Sequence, residues 1–171
     1  MTTTPHTHQN NEQQATGQPG PAQELDALAF FLGRWHGSGT FFATPWWPEK
    51  PIHMTVEVSR ELGGAWYVTR TAEQASEDNP NPLTATYIWG YDAAAQQFVA
   101  SWFDSRGGRA LQTSPGWEGD RLVFTGEMTS GGYTFPLRDT FVKHSDSAYH
   151  HLGEISLEGR WISVDEEKMN R

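Results

Sequence analysis

The sequence predicts an all-β protein: an antiparallel up-and-down barrel of about ten strands with a short N-terminal capping helix. Three observations predict it. Past residue 33 the helical period of apolar residues disappears, and short runs rich in Val, Ile, Thr and aromatics succeed one another. Gly, Pro, Asn and Asp separate these runs in links short enough for hairpins. A meander of that many strands, left open, would expose two unpaired edges, and closure removes them. A β-sandwich is the alternative packing.

Taken in order, residues 1–23 contain no Leu, Ile, Val, Phe, Tyr or Trp. Such a stretch buries too little apolar surface to offset its ordering entropy, so a disordered tail is expected there and a single domain over 24–171. The tail lacks the positive start and apolar stretch of a secretory signal, which leads us to expect a cytoplasmic protein. Its His6 and His8 would bind only stray metal. Leu25, Leu28 and Leu32 then line one side of a helix over Glu24–Leu32, with Gly33 placed to end it. Ten candidate strands follow: Arg34–Ala43, Ile52–Leu62, Ala65–Gln74, Thr84–Tyr91, Gln97–Asp104, Arg109–Trp117, Leu122–Met128, Tyr133–His144, Ala148–Leu157 and Arg160–Met169. Gly63-Gly64, Glu118–Arg121 and Ser130–Gly132 are tight links, while 46–51 and 76–83 are longer and contain prolines. In the first strand, Gly37 and Gly39 follow Trp35 on one face, the mark of a bend or a close backbone approach.

Composition narrows the function classes. The 171 residues include 12 basic and 21 acidic side chains, a formal net charge of −9. That balance argues against nucleic acid and against anionic membrane surfaces. No apolar run reaches the roughly 18–20 residues of a membrane span. With no Cys, thiolate metal sites, disulfides and a cysteine nucleophile are excluded. No metal-ligand motif is legible in the folded part, because His150 and His151 point to opposite faces of a strand. No Gly-x-Ser-x-Gly elbow or phosphate-cradling loop occurs either. Aromatics are the surplus, with 8 Trp, 5 Tyr and 9 Phe.

A ten-stranded barrel encloses a ligand-sized space, and ligand cavities are apolar with a few convergent polar groups. Trp66, Trp89 and Trp102, each in its own strand, are candidates to line it. Arg70, Arg138, His150 and Glu154 are the candidate polar groups, with His150 and Glu154 on one face and able to share a proton. Their plainer reading is a solvated strand face or rim salt bridges. Trp46 and Trp47, between prolines in a loop, have no evident core to fill. They suit the mouth of the cavity or the surface of a homodimer.

The segment Leu25-Asp26-x-Leu28-x-x-Phe31-Leu32-Gly33-x-Trp35-x-Gly37-x-Gly39 resembles the opening of the nitrobindin-like members of the calycin and fatty-acid-binding-protein barrels. The body is more closely similar to the bacterial family catalogued as domain of unknown function 1579. The resemblance rests on Leu62-Gly63-Gly64-Ala65-Trp66, Gly90-Tyr91-Asp92, Trp102-Phe103-Asp104-Ser105 and Trp117-Glu118-Gly119-Asp120, in that order, and on a closing strand that ends in Arg171. It implies a lipocalin-like barrel with a buried cavity and no established activity. Nitrobindins hold haem through a His in the last strand. Here Arg160–Arg171 contains none, so the resemblance does not carry an axial ligand across.

The expected function is therefore binding of a small hydrophobic or aromatic molecule inside the barrel, with no cofactor. The alternative is a cofactor-independent isomerase or cyclase acting in the same cavity, with His150 or Glu154 moving a proton.

Overall fold

The computed structural model describes residue 20 and residues 22–171. The tail expected to be disordered, with His6 and His8, lies outside the described residues except for Gly20, Ala22 and Gln23.

Eleven strands form one antiparallel sheet. They are β1 (Gly33–Phe41), β2 (Lys50–Glu61), β3 (Trp66–Glu73), β4 (Thr84–Asp92), β5 (Gln97–Asp104), β6 (Arg109–Ser114), β7 (Trp117–Glu118), β8 (Arg121–Ser130), β9 (Tyr133–Ser145), β10 (Ala148–Leu157) and β11 (Arg160–Asn170). β1 pairs with β2 on one side and with β11 on the other. β6 pairs with β8, which closes the sheet into a barrel of ten strands. The two-residue β7 lies outside this ring, paired only with the start of β8. The ring leaves no room for the sandwich alternative.

The strand predicted over Arg109–Trp117 breaks at Ser114 because Pro115 has no N–H for the ladder and Gly116 adopts φ +107°. The predicted hairpin at Gly63-Gly64 is a single 3-10 turn, Leu62–Gly64. Its left-handed φ of 70° and 87° at the two glycines is the conformation glycine accepts without strain.

The N-terminal helix is a 3-10 helix, Gln23–Phe31, rather than the α-helix its Leu spacing suggests. Leu25, Leu28 and Phe31 recur every third residue, the 3-10 repeat, and all three are buried. Leu32 is extended and ends the helix, and Gly33 opens β1 at φ +105° instead of capping the turn. Nine residues is long for this geometry. Tertiary contacts hold it in place. Trp117 Nε1 donates to Ala27 O at 2.9 Å, Arg171 donates to Phe30 O, and Asp26 meets Arg60 at 2.6 Å.

This helix caps one end of the barrel. Phe31 sits at the centre of an aromatic plug, with Trp89, Tyr149, Phe141 and Trp117 rings 5.0 to 5.7 Å away. Trp35 is fully buried beside it and donates from Nε1 to Phe31 O at 2.8 Å. The Arg171 guanidinium lies 4.2 Å over the Trp35 ring. The glycines after Trp35 serve close packing. A Cβ at Gly37 would strike Met169 Sδ at 2.5 Å, and one at Gly39 would strike Glu166 O at 1.8 Å. The barrel is thus solid at its helix end. Among the described residues no helix is long and apolar enough to cross a membrane.

Phe31→Ala should lower stability by about 3–5 kcal/mol in urea unfolding, the usual cost of emptying a buried aromatic site. A loss below about 1 kcal/mol would mean that the helix is not part of the core.

Candidate functional site

Beyond the aromatic plug the barrel is hollow. A cavity of about 240 Å³ occupies its middle and opens at the end opposite the helix. Its walls are the inward residues of alternating strands: Ile52, Met54, Val56 and Val58 from β2, Tyr87 and Trp89 from β4, Trp102 from β5, Phe135 and Leu137 from β9, and Ile155 from β10. The β1–β2 loop forms the rim. Thr44 Oγ1 accepts from the Trp46 and Trp47 amides at 3.3 and 3.1 Å, which folds the loop back on itself. The Trp46 ring rests 5.1 Å from Phe135, and Arg106 lies 5.5 Å over Trp47.

A buried ion pair braces the same rim. Lys50 Nζ is 2.5 Å from Glu73 Oε2, and that oxygen also accepts from Asn79 Nδ2 at 2.9 Å and the Leu83 amide at 2.8 Å. Burial works against the Glu73 carboxylate, but Lys50, the Leu83 amide and Asn79 outweigh it and hold its pKa below the ordinary value.

Polar side chains from five strands join in one network along one side of the cavity. The Tyr87 hydroxyl donates to Gln112 Oε1. Gln112 Nε2 donates to Asp139 Oδ2 at 2.7 Å. Asp139 Oδ1 is 3.2 Å from His151 Nε2, and His151 Nδ1 is 2.7 Å from Glu167 Oε2. Asp165 Oδ1 stands 3.8 Å from the same Nδ1. It is sealed from solvent and has no hydrogen-bond partner among the described residues. With a carboxylate on each ring nitrogen, His151 donates from both and is the imidazolium. Burial opposes that charge, yet Glu167 and Asp139 override it and raise the pKa well above the ordinary histidine value. Burial, and then the charge of Glu167, pushes the Asp165 carboxyl up to about 8, with His151 pulling the other way.

Local backbone features position these groups. His151 pairs directly across from both Glu167 and Phe141. A bulge beside Gly153 shifts the β10–β11 register, so that Val164 and Asp165 both line the cavity. Gly153 leaves the niche for that carboxylate, since a Cβ there would come within 2.3 Å of Asp165 Oδ1.

The residues singled out by sequence divide between the two faces of the sheet. Trp89 and Trp102 line the cavity, and Trp46 and Trp47 stand at its mouth. Five candidates do not reach it. Trp66 lies on the outer face, where its ring covers Gly90. Arg70 pairs with Glu61 at 2.7 Å in solvent. Arg138 and Glu154 pair with each other at 2.7 Å, with Arg138 4.5 Å over Trp161. His150 faces Glu166, 3.9 Å away, outside the barrel. The reason is one of parity: in β10 the odd residues point inward, so His150 and Glu154, expected to share a proton, lie on the outer face with separate partners.

Sequence reasoning missed His151, Asp139, Asp165, Glu167, Gln112 and Tyr87. A signal was present. The odd positions of β9 read Phe135, Leu137, Asp139, Phe141 against Pro136, Arg138, Thr140, Val142 at the even ones. An aspartate set in the more apolar face is an interior aspartate. In β11, where a nitrobindin-like haem ligand would stand, the cavity-facing residues are Val164, Asp165, Glu167 and Met169. Carboxylates in place of an imidazole do not fit a haem iron.

The sequence model of a family described as a protein of unknown function, DUF1579, matches residues 20–151. No curated protein matches the chain. Among solved structures, that of Rv2717c from M. tuberculosis superposes with a TM-score of 0.67 at 12% identity, covering 88% of this chain and 98% of that one. At that identity the likeness is one of fold.

The Glu73 carboxyl, held below its ordinary pKa, contributes stability that is complete above about pH 4.5 and is lost as pH falls through its lower folded-state value. The gap in Tm between the parent and Glu73→Gln should be widest near about pH 6–7 and close towards about pH 3. A gap that stays constant with pH would contradict the role given to this ion pair.

Proposed function

We propose that this chain, which belongs to the DUF1579 family, binds a small, neutral or cationic aromatic molecule in the hollow part of its barrel. The observation that carries the reading is the cavity of about 240 Å³, apolar over most of its lining and acidic on one side. An apolar cavity of about 150 Å³ takes up benzene, so this one has room for a molecule of one to two rings. Ring faces would meet Trp89 and Trp102, and burial of ligand surface drives uptake at about 25 cal/mol per Å² before ordering costs. The acidic side sets where the polar end lies. Asp139, Asp165 and Glu167 surround a single cation, His151, so an added anion meets uncompensated carboxylate charge while a donor or cation meets acceptors. Trp46 and Trp47 at the rim would close over the molecule.

The test is quenching of tryptophan fluorescence by 1-naphthylamine, a neutral two-ring molecule with a donor amine. Saturation at one molecule per chain is expected, and 1-naphthoate, its anionic counterpart, should bind at least about tenfold more weakly, or about 1.4 kcal/mol. Filling the cavity with Val56→Trp or Ile155→Trp, using whichever keeps cooperative unfolding, should weaken 1-naphthylamine by at least the same factor. Quenching that never saturates, or that is untouched by the filled cavity, would overturn the proposal.

A further inference from the structure

We propose that His151, Asp165 and Glu167 form a binding site for a divalent first-row transition metal ion inside the barrel. The inference does not rest on uptake of an aromatic molecule, and either can fail without the other.

Three observations carry it. First, one atom from each of the three residues, His151 Nδ1, Asp165 Oδ1 and Glu167 Oε2, lies within 4.8 Å of the other two. The separations from Nδ1 are 2.7 Å to Glu167 and 3.8 Å to Asp165. Ligand atoms about 2.0–2.2 Å from a common ion stand roughly 3 Å or a little more apart, so small side-chain rotations complete the set. Second, Asp165 Oδ1 is buried without a hydrogen-bond partner among the described residues. A buried carboxylate oxygen left unpaired is costly, and the bulge at Gly153/Glu154 together with the missing Cβ of Gly153 places it there. An ion is the partner this oxygen lacks. Third, the far side of the imidazole is built as a metal-bound histidine requires. His151 Nε2 donates to Asp139 Oδ1 at 3.2 Å, Gln112 Nε2 donates to Asp139 Oδ2 at 2.7 Å, and Tyr87 holds Gln112. A carboxylate on the second nitrogen fixes the ring's tautomer and orientation and turns Nδ1 to the metal.

One imidazole nitrogen and two carboxylate oxygens make a borderline-to-hard donor set. It suits Zn²⁺, Co²⁺, Mn²⁺ or Fe²⁺ rather than a soft ion such as Cu⁺. Binding displaces the proton on Nδ1, and with it any proton held by the Asp165 carboxyl, and these leave to solvent as the bonds to the metal form. Glu167 is almost fully buried and Asp165 partly so, and both line the cavity, so the remaining coordination positions open onto it. The geometry is that of an open site with room for water or for a ligand's own donor atom, not of a closed structural one.

The experiment uses the full chain carrying His6→Ala and His8→Ala, so that the tail offers no imidazole, stripped with chelator and titrated with Co²⁺ and with Zn²⁺. Saturation at one ion per chain is expected, with a d–d absorption band for Co²⁺ and a higher Tm with Zn²⁺. Asp165→Asn, which keeps the shape of the side chain and removes its negative charge, is expected to fold and to weaken binding at least tenfold. Asp139→Asn, acting only through the orientation of His151, should weaken it by about 10–100-fold. His150→Ala, on the outer face, should leave it unchanged. The proposal is overturned if no ion binds stoichiometrically once the tail histidines are gone, or if Asp165→Asn binds as tightly as its parent.

Discussion

Closure of the sheet is the constraint on which everything else depends. It is made at the β6–β8 seam, where Arg109 to Thr113 pair with Thr129 to Thr125. Gly126 marks how tight that seam is: a Cβ there would lie 1.9 Å from the Leu111 carbonyl oxygen. With the seam made, both edges of the meander are satisfied and inward side chains from all sides face one another. Without it, Gln112 on β6 and Asp139 on β9 would not meet, and the polar network would have no continuity. The five-strand chain from Tyr87 to Glu167 is therefore a consequence of closure as much as of the residues themselves.

A second constraint is the uneven filling of the barrel. Small barrels are normally occupied by their own side chains. Here that is true of the helix end, where Phe31, Trp35, Trp89, Phe124 and Phe141 pack together. Beyond them the inward positions include small side chains such as Thr69 and Thr71, and space remains. The 3-10 helix thus does two things. It seals one mouth, and it delivers Phe31 to the centre of the aromatic plug.

Much of the architecture was legible in the chain, because β-runs and turn residues are local signals. The ten principal strands fall close to where alternation and turn chemistry put them, and the seven-residue-apart leucines of the helix misled only about its pitch. What local signals do not carry is which face of a strand is inside. Trp66 and Trp89 look alike in sequence, yet Trp66 covers Gly90 from outside while Trp89 is buried within. His150 and His151 differ by one position, and a single step of register exchanges surface for interior. The partners of His151 were harder still, since Asp139, Asp165 and Glu167 come from two neighbouring strands and meet only through cross-strand register and one bulge. Comparing the apolar content of the two faces strand by strand would have found Asp139. Nothing short of the register would have found the bulge that turns Asp165 inward.

Crystals equilibrated under xenon pressure give the most direct test that the open half of the barrel is an apolar hollow. Xenon enters dry cavities and avoids filled or strongly hydrated ones. The account predicts a xenon atom on the barrel axis in contact with Val56, Trp89 and Trp102, clear of the carboxylates. Density showing that space occupied by collapsed side chains, or by ordered water bonded throughout, would contradict it.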